Sequence, residues 1–243
     1  MSISTLRHLP VFDPMYFNQQ NLPIHIIGCG AIGSKVAVEL AKLGVKDIHL
    51  WDNDIVEPHN IANQAFLHEH IKLQKIVACM DLIFKISNIK ANLHSEYYTG
   101  QMPLSGFIFL CPDSIDARKQ IWINNIKLKF NVRLLIDARM NVFDGRLYFI
   151  EPNIIQQIKL YEQGTAYTSA EANVSPCGSP VSVGTMSGLM ANLAVNGFMR
   201  WCWIERLAVT TQHDKLKTLI RKPANELIVQ VTPSFEVFET TAQ

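Results

Sequence analysis

Short apolar runs of strand length alternate with longer segments of helical periodicity as far as residue 137. The predicted strands are apolar runs bounded by glycine or polar residues, and they lie at 24–27, 47–51, 106–111 and 133–137. The predicted helices carry apolar residues three and four positions apart, and they lie at 31–43, 74–86 and 113–129. Strands that alternate with helices in this way indicate a parallel sheet with right-handed crossovers.

The chain changes character after residue 137. The turn at Asp144 and Gly145 precedes an alternating run at 146–150, which predicts an antiparallel strand. Residues 151–180 are polar and contain several prolines and glycines, so we expect a long crossover-type loop there. A long helix and two short strands then complete the chain, at 181–205, 227–231 and 235–238.

No linker or internal repeat divides the sequence, and 243 residues suit one large domain. We therefore predict a single α/β domain over 1–243. The predicted sheet is doubly wound and mainly parallel, with additional antiparallel strands near the C-terminus. The prolines and aromatic residues of 1–23 predict an extended N-terminal arm.

Composition narrows the classes of function. Lysine and arginine total 22 against 21 acidic residues, so a net charge of +1 argues against indiscriminate nucleic-acid binding. The uncharged segment 181–199 contains serine, threonine and asparagine, which favours a buried helix over a membrane span. The five cysteines never form Cys-x-x-Cys and no signal-peptide pattern opens the chain, so we expect free thiols and a cytoplasmic location.

The clearest motif is a glycine turn, Gly28-Cys29-Gly30-Ala31-Ile32-Gly33, which follows a predicted strand and opens a predicted helix. Glycines let a backbone approach phosphate closely, and a helix N-terminus supplies N–H donors. Asp52 follows the second strand, where a carboxylate accepts hydrogen bonds from ribose hydroxyls. The motif predicts a nucleotide site on a Rossmann-like fold, with tight helix–strand packing as the alternative.

The polar residues that follow Asp52 favour a triphosphate over a dinucleotide. They come in a definite order, at Asp54, Asn60, Asn63, Gln64 and Lys75. Carboxylates bind ribose and Mg²⁺, amides bind phosphate oxygens, and an ammonium group stabilises charge that develops at phosphorus. A nicotinamide- or flavin-linked oxidoreductase would use Asp52 but has no particular use for the rest.

With these residues the chain resembles the ThiF/MoeB-like adenylating family, whose fold is shared with ubiquitin-activating enzymes. The resemblance runs from about Arg7 to Arg200 and is carried by the segments 28–33, 52–54, 60–64, 75 and 111–114. It implies an adenylyltransferase that uses ATP and Mg²⁺. The implied substrate is a carboxylate, above all the C-terminal glycine of a ubiquitin-like or sulfur-carrier protein, and pyrophosphate is released.

The resemblance also implies roles for individual residues around the glycine turn. Asp52 and Asp54 match the acidic strand end that binds ribose. Asn60 and Gln64 match the amides of the family's Asn-x-x-Arg-Gln signature. Lys75 matches the lysine that contacts the phosphates, although a lysine at that position would also suit a solvated helix face.

Two further residues are implied at the edge of the site. Asp113, which follows the third strand, matches the acid assigned to Mg²⁺–ATP, and it would also suit the N-cap of the next helix. Arg7 resembles an arginine that reaches into the partner subunit's site, so the resemblance implies a homodimer.

The chain departs from the family pattern in two places. Asn63 replaces the arginine of the signature, so one cation expected at the α-phosphate is missing. Arg139 is our candidate for the missing cation and Arg118 is the second, although Arg118 also suits a structural ion pair. The paired Cys-x-x-Cys motifs of many relatives are missing, so we predict no zinc site. The lost arginine also leaves open a degenerate relative that binds nucleotide or a partner without catalysis.

Cys177 is a candidate acceptor thiol, because it lies between Pro176 and Gly178 in the predicted crossover loop. Relatives that transfer an activated protein to a thiol place a cysteine in a comparable loop. Proximity to a helix N-terminus would lower its pKa. An inert cysteine in a structural turn is the alternative.

Overall fold

The structure is a computed structural model that describes residues 5–96, 98, 102–165, 183–210, 226–231 and 237–240. Its helices are α1 (Pro14–Gln19), α2 (Gly33–Leu43), α3 (Lys75–Ser87), α4 (Ile115–Ile121), α5 (Ile155–Gly164) and α6 (Gly184–Thr210). Its strands are β1 (Ile24–Ile27), β2 (Ile48–Trp51), β3 (Asn92–His94), β4 (Gly106–Leu110), β5 (Val132–Met140), β6 (Asp144–Ile150), β7 (Glu226–Val231) and β8 (Val237–Thr240). Short 3-10 helices follow β2 at Pro58–Ala62 and His68–His70, and a π-helical turn at Trp122–Ile126 continues α4.

The strands form one sheet in the order β3-β2-β1-β4-β5-β6-β7-β8. Strands β1 to β5 pair in parallel, and β6, β7 and β8 extend the sheet through antiparallel pairs. The prediction of a Rossmann-like, mainly parallel sheet with antiparallel C-terminal strands is therefore confirmed. The order of the strands reverses between β1 and β4, and open sheets of this kind bind ligands at such a point.

The register of the central strands brings three segments of the chain to one edge of the sheet. Ile27 of β1 lies opposite both Trp51 of β2 and Leu110 of β4. Because these strands are parallel, the residues that follow them leave the sheet side by side. The glycine turn, Asp52 and Cys111 therefore meet at the carboxyl ends of the strands.

Helices cover both faces of the sheet, as the wholly buried strands β1 and β4 require. On one face, Leu40 of α2 and Phe198 of α6 belong to the larger hydrophobic core. On the other face, the ring of Tyr161 packs against Trp122 and Tyr148, with ring centroids 4.6 and 5.3 Å apart. This packing holds α2 and α4 with their N-termini near the edge where the three segments meet.

The N-terminal arm contains a helix that the sequence pattern did not predict. Asp13 caps α1 by accepting hydrogen bonds from the backbone N–H groups of Met15 (3.0 Å) and Tyr16 (3.3 Å). Pro14 occupies the first turn, and Phe17 is buried in the core. The predicted extended arm is thus helical in part, because a capping carboxylate and an N-terminal proline both favour a helix start.

The predicted loop over 151–180 also needs correction, because α5 occupies its first half. The buried residues of this helix, Gln157, Ile158 and Tyr161, lie three and four positions apart, but exposed neighbours obscured the pattern. The part of the range that follows Thr165 lies outside the described residues.

The remaining differences concern short elements. The predicted helix at 113–129 begins two residues later, at Ile115, and its second half is the π-helical turn. Strand β3 was not predicted, because three residues are too few to display alternation. In the described ranges, none of the helices combines the length and the apolar character needed to cross a membrane.

Candidate functional site

The glycine turn packs tightly on its protein side and is open on the other. A Cβ atom at Gly28 would lie 2.8 Å from the backbone of Cys111, and the φ of Gly28 is +89°. A Cβ atom at Gly33 would lie 1.9 Å from the carbonyl oxygen of Gly28. By contrast, a Cβ atom at Gly30 would meet no heavy atom within 4 Å. The backbone of Gly30 is therefore accessible to a ligand.

The two residues between the last glycines lead directly into α2. Ala31 is half-buried, and Ile32 is buried at the N-cap of the helix, where it makes no side-chain capping bond. An uncapped helix start keeps N–H donors and the positive end of the helix dipole available to an anion.

The Asp52 carboxylate joins the glycine turn to the end of β2. Its Oδ2 accepts a hydrogen bond of 2.7 Å from the backbone N–H of Cys29, and its Oδ1 accepts one of 2.9 Å from Asp54. Burial raises the pKa of Asp52, although the positive charge of Lys75 opposes that effect. Asp52 is thus held rigidly beside the turn.

Lys75 is a buried cation among carboxylates. Its Nζ lies 2.8 Å from Asp54 Oδ2, and its backbone N–H donates to the carbonyl of Asp54 at 2.9 Å. Burial alone would lower the pKa of Lys75, but the hydrogen bond from Lys75 to Asp54 and the charges of Asp52, Asp54 and Asp113 outweigh it and raise that pKa. The side chain is about nine-tenths buried, which excludes a solvated helix-face lysine.

Asp113 lies exposed at the end of β4, on the side of Lys75. The N-cap of α4 is the next residue, Ser114, whose Oγ accepts a hydrogen bond of 3.2 Å from the backbone N–H of Ala117. The capping role considered for Asp113 is therefore filled by Ser114. The carboxylate of Asp113 remains available to a ligand or a cation.

The amide segment 60–64 packs against the start of α6, where a Cβ atom at Gly184 would lie 2.7 Å from the carbonyl oxygen of Ala62. Asn60 is buried, and its Oδ1 accepts a hydrogen bond of 2.9 Å from the backbone of Glu57, which caps the 3-10 helix. The carbonyl of Asn63 accepts a hydrogen bond of 3.1 Å from Ser187 Oγ at the start of α6. Gln64 Oε1 is buried without a hydrogen-bond partner in the described part of the chain. Asn60 has a structural role, while Gln64 offers an unsatisfied amide oxygen.

The two arginines proposed as replacements for the missing cation lie in a buried network around Asp137. Arg118 pairs with this carboxylate and donates to the carbonyls of Leu110 (2.9 Å) and Ala138 (3.0 Å). Arg139 Nε donates to Asp137 Oδ2 at 3.1 Å. Burial alone would raise the pKa of Asp137, but the two guanidinium groups outweigh it and lower that pKa.

The same network includes aromatic side chains. The Tyr161 hydroxyl donates to Asp137 at 2.7 Å, and the guanidinium of Arg139 lies 5.2 Å from the ring centroid of Tyr148. This placement confirms the structural ion pair considered for Arg118. It argues against the expectation that Arg139 stands over the phosphates, because its guanidinium is bound to Asp137.

The roles predicted for Arg7 and Cys177 are neither supported nor opposed by the geometry. Arg7 is exposed in the turn that precedes α1, so its role across a homodimer interface stays a prediction. Cys177 lies outside the described residues, and its role as a thiol stays a prediction as well.

One cluster in the described ranges has the spacing of a metal site, namely Glu69, His70 and Asp81. His70 Nδ1 accepts from the backbone N–H of Leu67 at 3.1 Å, so its Nε2 carries the proton shared with Asp81 at 3.0 Å. Lys85 Nζ lies 2.7 Å from both carboxylates. The imidazole therefore has no free lone pair, and the cluster is an ion-paired surface feature.

Sequence reasoning missed Lys35. This lysine follows the glycine turn in the first turn of α2, and its Nζ donates to Gly184 O (2.6 Å) and Ser187 Oγ (2.5 Å). Its position two residues after Gly33 could have identified it as a residue close to the glycine turn. Its partners were not predictable, because they belong to a helix near the other end of the chain.

Comparisons with known proteins agree with this architecture. The sequence model of the ThiF family matches residues 18–225 of this chain. Ubiquitin-like modifier-activating enzyme 6 of Homo sapiens is 29% identical over 165 residues, which are 59% of this chain and 15% of that protein. Ubiquitin-like modifier-activating enzyme 5 of Dictyostelium discoideum is 27% identical over 124 residues, which are 44% of this chain and 32% of that protein. The chain thus spans less than a third of the length of these relatives.

Two solved structures show the same fold at low sequence identity. The crystal structure of E. coli MccB with ATP has a TM-score of 0.61 and 16% identity, and the match covers 91% of this chain and 64% of MccB. The crystal structure of PaaA has a TM-score of 0.62 and 17% identity, with 93% and 75% covered.

Proposed function

Since this chain belongs to the ThiF family, we propose that it is an ATP-dependent adenylyltransferase that activates a carboxylate. One observation carries the proposal. Asp52 is hydrogen-bonded to the glycine turn through Cys29, and the buried ammonium of Lys75 lies within reach of the same acidic cluster. The groups that we propose bind ribose and phosphate thus lie close to the point where the strand order reverses.

The local geometry fits a nucleoside triphosphate. A Cβ atom added at Gly30 would have no heavy atom within 4 Å, so phosphate oxygens have room to approach the backbone there. The start of α2 provides uncapped N–H donors for phosphate oxygens. Gln64 Oε1 is a buried acceptor without a hydrogen-bond partner in the described residues, so it suits a donor of the ligand, such as a ribose hydroxyl. Buried polar atoms without partners are uncommon, and a bound ligand accounts for one.

Each of these residues has its own role in the proposed reaction. Asp52 accepts hydrogen bonds from the ribose, while the glycine turn and Lys75 hold the phosphates and offset their charge. Asp113 would hold Mg²⁺, which when bound neutralises phosphate charge. The substrate carboxylate attacks the α-phosphorus, a new P–O bond forms, the bond to the leaving pyrophosphate breaks, and an acyl-adenylate results. The protein contributes chiefly by aligning two anions that repel each other.

We further propose that the carboxylate belongs to the C-terminal glycine of a small ubiquitin-like or sulfur-carrier-like protein. Sequence relatives are named as enzymes that activate ubiquitin-like modifiers, and MccB has been crystallised with MccA. The same proposal has three further parts. The chain forms a homodimer with Arg7 at the shared site, it is located in the cytoplasm, and Cys177 forms a thioester. Trapping a reducible partner adduct that Cys177→Ala removes and Cys202→Ala retains would test the last point.

The activity is tested by carboxylate-dependent exchange of labelled pyrophosphate into ATP. We expect exchange with the wild-type chain, and a loss of at least about 100-fold in Lys75→Met, since removal of one preorganised transition-state donor costs 10²–10³. Lys127→Met is the matched control, because Lys127 pairs with Glu162 on the other face of the sheet.

Two other outcomes would replace the proposal. ATP binding without exchange for any candidate carboxylate would indicate the degenerate binding protein that Asn63 makes plausible. Tight NADH binding without ATP binding would indicate an oxidoreductase.

A further inference from the structure

Lys35 occupies the first turn of α2, directly after the glycine turn. Its backbone N–H donates to the carbonyl of Ile32 at 3.0 Å, so the residue belongs to the regular helix that the turn opens. The side chain is half-buried and leads toward the start of α6. The ammonium group is therefore held in place beside the start of α6, on which the amide segment packs.

The partners of this ammonium are neutral oxygens. Lys35 Nζ lies 2.6 Å from the carbonyl of Gly184 and 2.5 Å from Ser187 Oγ. No carboxylate of the described residues lies within 4.0 Å of it, whereas the buried cations Lys75 and Arg118 each pair with an aspartate. Burial lowers the pKa of Lys35. A half-buried cation of this kind is stabilised when an anion binds beside it.

The surroundings connect Lys35 to the position where a cation is missing. Ser187 Oγ, which contacts Lys35 Nζ, also donates to the carbonyl of Asn63 at 3.1 Å. A Cβ atom at Gly184 would lie 2.7 Å from the carbonyl of Ala62, so the start of α6 packs directly on the amide segment. The neighbour of Lys35, Ser34, accepts a hydrogen bond of 3.0 Å from the backbone of Ala65. The first turn of α2, the amide segment and the start of α6 thus form one wall.

We infer that Lys35 binds the β- and γ-phosphates of the nucleotide, and so restores to the site one positive charge that is lost at Asn63, although at a different phosphate. This inference rests on the proposed function and adds to it a residue from α2. The ammonium has three donors, of which two hold the neutral oxygens and one remains for a phosphate oxygen. Arg139 and Arg118 are held by Asp137, which leaves Lys35 as the better candidate.

The test measures the affinities of ATP, ADP and AMP by calorimetry for the wild type, Lys35→Met and Lys35→Arg. A hydrogen bond to a charged group contributes enough that we expect Lys35→Met to weaken ATP binding about tenfold or more. AMP, which lacks the outer phosphates, should change less than about twofold. Lys35→Arg should retain most of the affinity for ATP. Lys42→Met, on the same helix, should leave all three affinities unchanged.

A purely structural role would give a different pattern. If Lys35 only joined α2 to α6, Lys35→Met would weaken ATP and AMP binding equally, and that result overturns the inference. Unchanged ATP affinity in Lys35→Met overturns it as well, while the proposed function would stand. A wild-type chain that binds no nucleotide overturns both.

A second measurement uses the wild-type chain, so it does not depend on the folding of a variant. Acetylation by an amine-reactive ester is followed by peptide mass spectrometry with and without nucleotide. ATP should protect Lys35 and adenosine should not, while exposed Lys42 should react equally in every sample. Equal labelling of Lys35 with and without ATP contradicts the inference.

Discussion

The backbone N–H of Cys29 donates a hydrogen bond of 2.7 Å to the carboxylate of Asp52. Cys29 lies inside the glycine turn, and Asp52 directly follows the neighbouring strand. The bond therefore links the glycine turn to the acid that we propose binds ribose, before any nucleotide arrives. Preorganisation of this kind lowers the entropic cost of binding.

The glycines of the turn should respond differently to the same substitution. Gly33→Ala places a Cβ atom 1.9 Å from the carbonyl oxygen of Gly28, so we expect a large loss of stability together with the loss of ATP binding. Gly30→Ala meets no protein atom within 4 Å, so it should leave the melting temperature unchanged and weaken ATP binding. Thermal unfolding and ATP titration of both variants check this. Gly188→Ala, which also has open space, is the control for ATP binding.

Removal of Arg139 should act on stability and not on nucleotide affinity. Its guanidinium partners the fully buried Asp137, and leaving such a charge without any partner costs about 3–5 kcal/mol. Because Arg118 still pairs with Asp137, we expect Arg139→Ala to lower the free energy of unfolding by less than about 3 kcal/mol, as measured with urea. The folded fraction should bind ATP with wild-type affinity. A variant of normal stability that has lost ATP binding would restore Arg139 to the phosphate site.

His25 should make the stability depend on pH. Burial, and then the neighbouring His49 and His94, lower the pKa of His25 to about 3, and its Nδ1 accepts a hydrogen bond of 3.2 Å from Trp51. The unfolded chain takes up this proton near pH 6.5, but the folded chain does not. Stability is therefore lost as the pH falls from about 6.5 toward 3, by at most about 1.4 kcal/mol per pH unit from this group. His25→Gln should reduce this slope in urea unfolding, and an unchanged slope would contradict the assignment.

The thiols beneath the glycine turn should be unreactive in the native protein. Cys29 and Cys111 are buried, and the pKa of each thiol is raised, that of Cys111 to about 12 by burial. The hydrogen bond to Cys79, followed by burial, raises the pKa of Cys29. We expect iodoacetamide at about pH 8 to modify these residues only after unfolding, as read by mass spectrometry. Rapid native labelling of Cys29 would show that the turn opens in solution.

Local features of the sequence were enough to predict the centre of the site. The spacing of Gly28, Gly30 and Gly33 reflects requirements of the backbone, which any sequence with this turn must meet. Asp52 was predicted because it follows the second strand, and parallel strands place their carboxyl ends at one edge. Lys75 was predicted from its place in the order of polar residues and from the resemblance to the ThiF/MoeB-like family.

The sequence by itself thus determined the parallel sheet, the glycine turn and the acidic strand end, because each follows from periodicity or from backbone geometry within a short segment. Only the tertiary structure decided that Arg139 pairs with Asp137 and that Lys35 contacts Ser187, which is 152 positions away. Such partners depend on which helix packs beside which strand end. The pattern of apolar residues identifies a buried face but does not identify the element that covers it.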